Sequence, residues 1–230
     1  MKNIAVVLAG GTGSRIGGPV PKQFLPLGDR AVIEYSVGLF NDHPLIDEVA
    51  VVVHPDWRGH FSDLAARNRW NKLTRILDGG AERHLSTLSA LRAYEGVGEA
   101  CILLHDAARP WLSADIVSRV VAALREHPAV AVAVPATDTL FRVCDGCIAD
   151  IPPRSHYYCA QTPQAFRHDL LADAYAKALR DSHFSATDDC GVLLRYRPDI
   201  PIHIVPGAPS NVKITYPDDL DGTAHKTPSK

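Results

Sequence analysis

The strongest constraint on this chain is a rhythm of short apolar runs. NIAVVLA, EVAVVVH, TRILDG, ACILLHD and VAVAVPA are rich in valine and isoleucine and are apolar on successive residues. A strand reads that way when both of its faces are covered. Between the runs, AVIEYSVGLFN, ERHLSTLSALRAYE and SADIVSRVVAALRE carry apolar positions three and four residues apart, the spacing of a helix. Ser113 is placed to cap the last of these. Strand and helix in alternation imply parallel βαβ units, so the expectation is an α/β fold with an open, mostly parallel, twisted sheet of Rossmann-like type. At 230 residues the chain is long enough to bury a substantial core in one such domain, read as residues 1–230.

The alternation breaks after Pro135. DTLFRVCDGCIADIPPRSHYY holds two short extended runs around Asp145-Gly146, a hairpin signal, and then a double proline that forbids helix. This predicts a β-hairpin arm, about residues 138–160, that projects from the sheet. Cys144 and Cys147 form a C-x-x-C, but a zinc ribbon needs a second such pair and none exists. The chain then returns through CAQTPQAF, a helix near residues 169–179, a helical stretch after Thr187 and a late strand-like SNVKIT. The final HKTPSK reads as a frayed tail.

Directly after the first apolar run comes LAGGTGSRIGGPVPKQ, in which Arg15 and Lys22 stand among five glycines. Glycine lets backbone approach a ligand closely, and fixed cations beside it suggest that the ligand is an anion, most simply a phosphate. The loop is not a dinucleotide fingerprint, because Ile16 stands where the third glycine is required. Nor is it a Walker A loop, because Lys22 is followed by Gln23. In an open parallel sheet, ligands bind beyond the carboxyl ends of the strands. The glycine loop ends the first run and HDAARP ends the fourth, so both belong to one rim.

Composition narrows the class. The net charge of −2 provides no field for drawing the chain to nucleic acid or membrane. Five cysteines, an odd number, argue against a disulfide framework, and the apolar stretch in MKNIAVVLAGG is too short for a signal sequence or a span. The expected location is the cytoplasm.

The pattern L-A-x-G-x-G-x-R followed by P-K-Q resembles the nucleotidyltransferases that join a nucleoside triphosphate to a sugar or polyol phosphate. Adding DGGAERHLSTLSAL, LLHDAARPWL, AQTPQAF, TDDCG and SNVKITYPDDL, the chain is similar from about residue 4 to 220 to the 2-C-methyl-D-erythritol 4-phosphate cytidylyltransferases of the non-mevalonate isoprenoid pathway. Two departures stand out. Leu140 and Phe141 follow Asp138-Thr139 where the family usually has a basic residue, with Arg142 only next. IPPRSHYYCAQTPQ looks more like the sister enzymes that cytidylylate ribitol 5-phosphate, whereas HDAARP looks like the methylerythritol branch.

The resemblance implies attack of a phosphomonoester oxygen on the α-phosphorus of CTP. That oxygen is already largely dianionic at pH 7, its second pKa being about 6, so no general base is needed. Alignment of two polyanions and stabilisation of charge are needed instead. By resemblance, Arg15, Lys22 and Lys213 supply that stabilisation, although a bare exposed strand position would also account for Lys213. Ala9, Gly10, Gly11 and Gly13 line the triphosphate and base. Gly80, Ala81 and Ser86 read the cytosine, with a plain helix-surface role as the alternative for Ser86. Asp106 ends an apolar strand, where a buried carboxylate must be paired or metal-bound; Mg²⁺ is the implied partner and an N-cap the competing role. Arg109 can reach the acceptor phosphate or pair with Asp106. Thr162 and Thr187 match acceptor-contact positions, and Thr187 could also cap the helix it precedes. His105 is read as structural. The arm's Leu140, Phe141, Ile148 and Ile151 cannot be buried by a hairpin alone, which predicts a homodimer, a lid within one chain being the alternative; the resemblance implies that Arg154 then enters the partner's site.

Overall fold

The computed structural model describes residues 1–11, 18–80 and 82–221. In chain order the strands are β1 (Lys2–Ala9), β2 (Pro26–Leu27), β3 (Arg30–Ala31), β4 (Glu48–Val53), β5 (Leu73–Asp78), β6 (Ala100–Asp106), β7 (Ala129–Pro135), β8 (Arg142–Cys144), β9 (Cys147–Asp150), β10 (Tyr158–Arg167) and β11 (His203–Pro206). The helices are α1 (Val32–Asp42), α2 (Arg58–Asn68), α3 (Arg83–Ala93), α4 (Ala114–Ala123), α5 (His168–Ala178) and α6 (Asp189–Tyr196).

Seven strands form one sheet in the order β11-β7-β10-β6-β1-β4-β5. Six run parallel and β10 alone is antiparallel, paired with β6 on one side and β7 on the other. The successive apolar residues have the expected cause. Ala5, Val7 and Ala9 of β1 point into a layer with Phe40, Phe61, Ile116 and Val120. Ile4, Val6 and Leu8 point into the opposite layer with Leu91, Leu171, Tyr175 and Leu193. Both faces are therefore covered by helices. Ser113 caps α4 as its position suggests, its hydroxyl accepting from Ile116 N at 3.3 Å.

Three expectations are corrected. TRILDG forms β5 at the sheet edge, where Thr74, Arg75 and Asp78 are exposed, so it is not a strand covered on both faces. SNVKIT makes no strand: residues 211–215 run alongside the end of β6 and are tied there by Ile214 N donating to Ala108 O at 2.8 Å. CAQTPQAF is not a simple return but most of β10, the strand that interrupts the parallel order.

The arm leaves after Pro135 and comes back at Tyr158, directly opposite it. Its two strands, β8 and β9, meet at Asp145-Gly146, both with positive φ (50° and 78°), as a two-residue hairpin turn requires. Phe141, Val143, Ile148 and Ile151 are all exposed on it. Among the described residues, no helix is long and apolar enough to cross a membrane.

Candidate active site

The strand order reverses beside β1: the chain builds outward through β4 and β5, then crosses to β6 on β1's other side. A crevice at the carboxyl ends of β1 and β6 follows from that reversal. Leu8 stands opposite Asp106 in the register, and Ala107 N donates to Leu8 O at 3.0 Å. The glycine loop and HDAARP thus do share one rim.

Glycines at the end of β1 and after β5 touch each other there. A Cβ on Gly10 would stand 2.6 Å from Ser86 Oγ, and one on Gly79 would stand 2.9 Å from Gly10 Cα. A Cβ on Gly80 would meet Leu85 Cβ at 2.2 Å. Ser86, buried on the first turns of α3, therefore fills the space that the glycines leave. Among the described residues, nothing stands within 4 Å of the missing Cβ of Gly11. Thr12–Gly17 and Ala81 lie outside the described residues, and with them Gly13, Arg15 and Ala81 of the expected site.

Lys22 is positioned by its neighbour. Buried Gln23 donates through Nε2 to Ala9 O and Gly11 O, both at 2.8 Å, which fastens the 22–24 turn to the end of β1. From there Lys22 Nζ reaches Ile214 O at 2.7 Å. The adjacent Lys213 Nζ lies 2.7 Å from Asp106 Oδ2. Lys22, Lys213 and Asp106, drawn from three distant segments, are brought together.

Asp106 is held from two sides, because Arg83 Nε stands 3.4 Å from its other oxygen, Oδ1. Burial alone would push this carboxyl up; Arg83 and then Lys213 override it and hold it well below the usual carboxylate range. Arg83 also pairs through Nη1 with Asp189 Oδ2, and Asp189 is fully buried. Tyr175 donates its hydroxyl to Asp189 Oδ1 at 2.7 Å, and burial followed by this carboxylate pushes the phenol far above its ordinary range.

Behind Asp106 sits a closed polar chain. Asp106 N donates to Thr162 Oγ1 at 3.2 Å, Thr162 Oγ1 meets His105 Nδ1 at 2.9 Å, and His105 Nε2 meets Arg109 O at 3.1 Å. Arg109 O can only accept, so the ring proton is on Nε2, and the bare Nδ1 accepts from the Thr162 hydroxyl. Burial pushes His105 down to about 4, so it is neutral here and is not a base facing the cleft. The Thr162 hydroxyl, expected to contact the acceptor, is engaged at both ends of this chain.

Arg109 does not take the salt bridge that was its alternative role. It donates through Nη1 to Asn211 O at 2.8 Å and through Nη2 to Ala160 O at 3.2 Å, and its buried Nε has no partner among the described residues. Thr187 is exposed and is not the cap of α6; Asp188 caps it, accepting from Gly191 N at 2.8 Å. Arg154 stands exposed at the foot of the arm, donating to Thr137 O at 2.8 Å.

Sequence reasoning singled out neither Arg83, Asp189, Gln23 nor Gln164. Gln164 Nε2 donates to Asp188 Oδ2 at 2.7 Å while its Oε1 accepts from Asp189 N at 3.2 Å, which fixes the start of α6. A signal existed for Arg83: a charged residue one turn before Ser86, facing the same rim as a buried carboxylate.

The sequence model of the family "IspD: 2-C-methyl-D-erythritol 4-phosphate cytidylyltransferase" matches residues 3–225. The chain belongs to this family. It is 43% identical over 222 residues to the 2-C-methyl-D-erythritol 4-phosphate cytidylyltransferase of Thermobifida fusca (strain YX), covering 94% of this chain and 89% of that one. It is also 38% identical to the bifunctional ribulose 5-phosphate reductase/CDP-ribitol pyrophosphorylase Bcs1 of Haemophilus influenzae, covering 95% of this chain and 47% of that protein, about half its length. Among solved structures, 4-diphosphocytidyl-2C-methyl-D-erythritol synthase of Anaerococcus prevotii DSM 20548 superposes with a TM-score of 0.84 at 30% identity, over 96% of this chain and 95% of that one. The 2-C-methyl-D-erythritol 4-phosphate cytidylyltransferase of Thermus thermophilus does so at 0.73 and 30%, over 96% of each. As an IspD-family chain, this one has the Rossmann-like sheet expected from its apolar rhythm.

Proposed function

We propose that this chain transfers the cytidylyl group of CTP to 2-C-methyl-D-erythritol 4-phosphate, releasing pyrophosphate. The observation that carries the reading is the match across residues 3–225, joined to the cations that converge on Asp106 at the β1/β6 crevice. A phosphomonoester oxygen of the acceptor forms a bond to the α-phosphorus as the bond to the bridging oxygen breaks, and pyrophosphate carries away the electron pair. In this reading Lys22 and Lys213 meet the charge that develops on the transferring group, and Arg15, outside the described residues, is assigned the same task by the family resemblance alone. Gly11 and the packed Gly10, Gly79 and Gly80 let the nucleotide lie against backbone. With no general base required, a neutral, buried His105 is consistent with the chemistry.

The donor set suits Mg²⁺ delivered with the triphosphate. Asp106 is a single carboxylate already held by cations, and among the described residues no three His, Cys, Asp or Glu side chains cluster as a protein-only cage. Mg²⁺ characteristically takes one or two carboxylates together with phosphate oxygens. When bound, it would neutralise phosphate charge beside Asp106 Oδ2, the oxygen that Lys213 holds here.

The exposed Phe141, Val143, Ile148 and Ile151 support a homodimer in which two arms cover each other and Arg154 serves the partner's acceptor site. All five cysteines are free thiols, which supports work in a reducing compartment, the cytoplasm.

One assay tests the reading: pyrophosphate release from CTP with methylerythritol 4-phosphate and with ribitol 5-phosphate in parallel, each with MgCl₂ or with a chelator. The expected result is a higher kcat/KM for methylerythritol 4-phosphate, abolished by chelation. A preference for ribitol 5-phosphate moves the chain to the chemistry of its Haemophilus relative, and activity that survives chelation removes the metal role of Asp106.

A further inference from the structure

We infer that Arg83 is a positioning residue that ties the nucleotide carboxylate Asp106 to the start of α6, so that the two halves of the substrate site are held in register. The guanidinium spans two carboxylates: Nε is 3.4 Å from Asp106 Oδ1, and Nη1 pairs with Asp189 Oδ2. One end of this bridge is at the crevice. Asp106 Oδ2, the oxygen that Arg83 leaves alone, is on Lys213. The other end is anchored: Asp189 is fully buried, receives the Tyr175 hydroxyl at 2.7 Å, and donates its backbone amide to Gln164 Oε1 at 3.2 Å. Asp189 is two residues past Thr187, so the anchor lies directly beside the exposed segment leading into α6.

Stability alone is a poor account of this arrangement. Desolvating a buried ion pair costs about as much as the attraction returns, so an apolar pair of similar volume would hold the same elements at least as well. The bridge does provide geometry. A guanidinium is a planar fork with fixed donor directions, whereas an ammonium is a point charge that satisfies one carboxylate at a time. With Oδ1 fixed by Arg83, the Asp106 carboxylate would keep its plane whichever partner Oδ2 takes. A shift of Asp106 is then transmitted through the fork to Asp189 and the first turn of α6.

The inference rests on the cytidylyltransferase reading for its substrates, and two readouts keep the two apart. The first is hydrogen exchange at the amides of residues 189–196, with and without CTP and MgCl₂. In the wild type, nucleotide should slow this exchange at least roughly threefold, as expected when a locally opening element is tied down. In Arg83→Gln the slowing should vanish although CTP still binds. Arg83→Lys should recover thermal stability without recovering the slowing. The second readout is kinetic: Arg83→Gln should lower kcat by about 10- to 100-fold and raise the acceptor KM, with the CTP dissociation constant changed much less, the pattern of residues that orient a ligating group. If Arg83→Gln does not fold, Asp189→Asn keeps the shape, leaves Arg83 on Asp106, and should lose the slowing in the same way. A lower Tm with unchanged kcat and an unchanged nucleotide response, in whichever variant folds, overturns the inference. A wild type that shows the slowing but turns over neither polyol phosphate instead sinks the acceptor reading and leaves the Arg83 bridge standing.

Discussion

Lys213 Nζ lies 2.7 Å from Asp106 Oδ2 across 107 positions of sequence. The residue after Lys213, Ile214, offers its carbonyl to Lys22 Nζ at 2.7 Å. Two ammonium groups and one carboxylate are thereby drawn to one segment, and in the proposed cytidylyl transfer they would face the triphosphate. Resting-state pairing of this kind keeps the cations aimed before any anion arrives, so little reorganisation is left for the moment of reaction.

Lys22→Ala should lower kcat by on the order of 10²–10³-fold while changing the KM for CTP far less, because interactions made chiefly in the transition state act on kcat. Arg15→Ala is expected to behave in the same way. Steady-state kinetics with saturating acceptor decides. A raised KM with kcat intact would make the residue a ground-state clamp.

Arg154→Ala should impair acceptor use and leave CTP binding nearly unchanged. Its guanidinium now rests on Thr137 O at the foot of the arm, free of the Asp106 cluster and suited to a bidentate grip on a terminal phosphate. If it serves the partner's site, mixing Arg154→Ala with Lys22→Ala restores one good site to each mixed dimer. With free exchange, about a quarter of wild-type activity then returns, assuming independent sites and symmetric pairing. Recovery no greater than the sum of the two parents, with mixed dimers verified by mass, places Arg154 in its own subunit's chemistry or in none.

Acid should destabilise the fold in two windows. Burial pushes His105 down to about 4 from an ordinary 6.5. Between those values the unfolded chain binds a proton that the native state refuses, so stability falls as pH drops from 6.5 to 4. Glu48 is held at about 2 by Lys2, Thr74 and Tyr94 despite its burial, so its contribution is complete above 4.5 and is lost as pH falls towards 2. That second loss is worth roughly 3 kcal/mol from the size of the shift. Melting temperature measured against pH should show both windows, and Glu48→Gln should flatten the lower one.

Gly79→Ala should destabilise the protein by about 1–3 kcal/mol, because the new Cβ meets backbone that cannot yield. Gly10 Cα would be at 2.9 Å and Val53 O at 3.3 Å. Gly11→Ala is the control: with nothing within 4 Å among the described residues, it should stay within about 0.5 kcal/mol of wild type. Equal losses in urea unfolding of the two variants would show that the contact between the ends of β1 and β5 carries no strain.

How much of this is legible in the sequence depends on where each signal sits. Ile4–Ala9 and Ala100–Asp106 declare themselves as covered strands because every residue is apolar or nearly so, and that alone locates the crevice. β10 does not, because Gln161 and Gln164 are buried yet polar, their amides engaged by Ala208 O and Asp188 Oδ2, and such pairing cannot be seen in a string of letters. α2 buries only Phe61 and Leu64, too few to print a helical stripe. SNVKIT has the composition of a strand, but its Asn211 side chain bonds Thr162 O at 2.9 Å and the segment lies on the rim without joining the sheet. Arg83 and Asp189 are 106 positions apart, and no local spacing announces a pair at that range.

The arm's two feet meet on the same pair of strands: Tyr158 stands opposite Pro135, and Ala136 N donates to Tyr157 O at 2.9 Å. Everything between them is an excursion that begins and ends at one point of the scaffold. Lengthening, shortening or replacing it re-registers no strand and opens no core. A lineage can therefore redraft the excursion at these feet while the seven-stranded sheet is inherited unaltered.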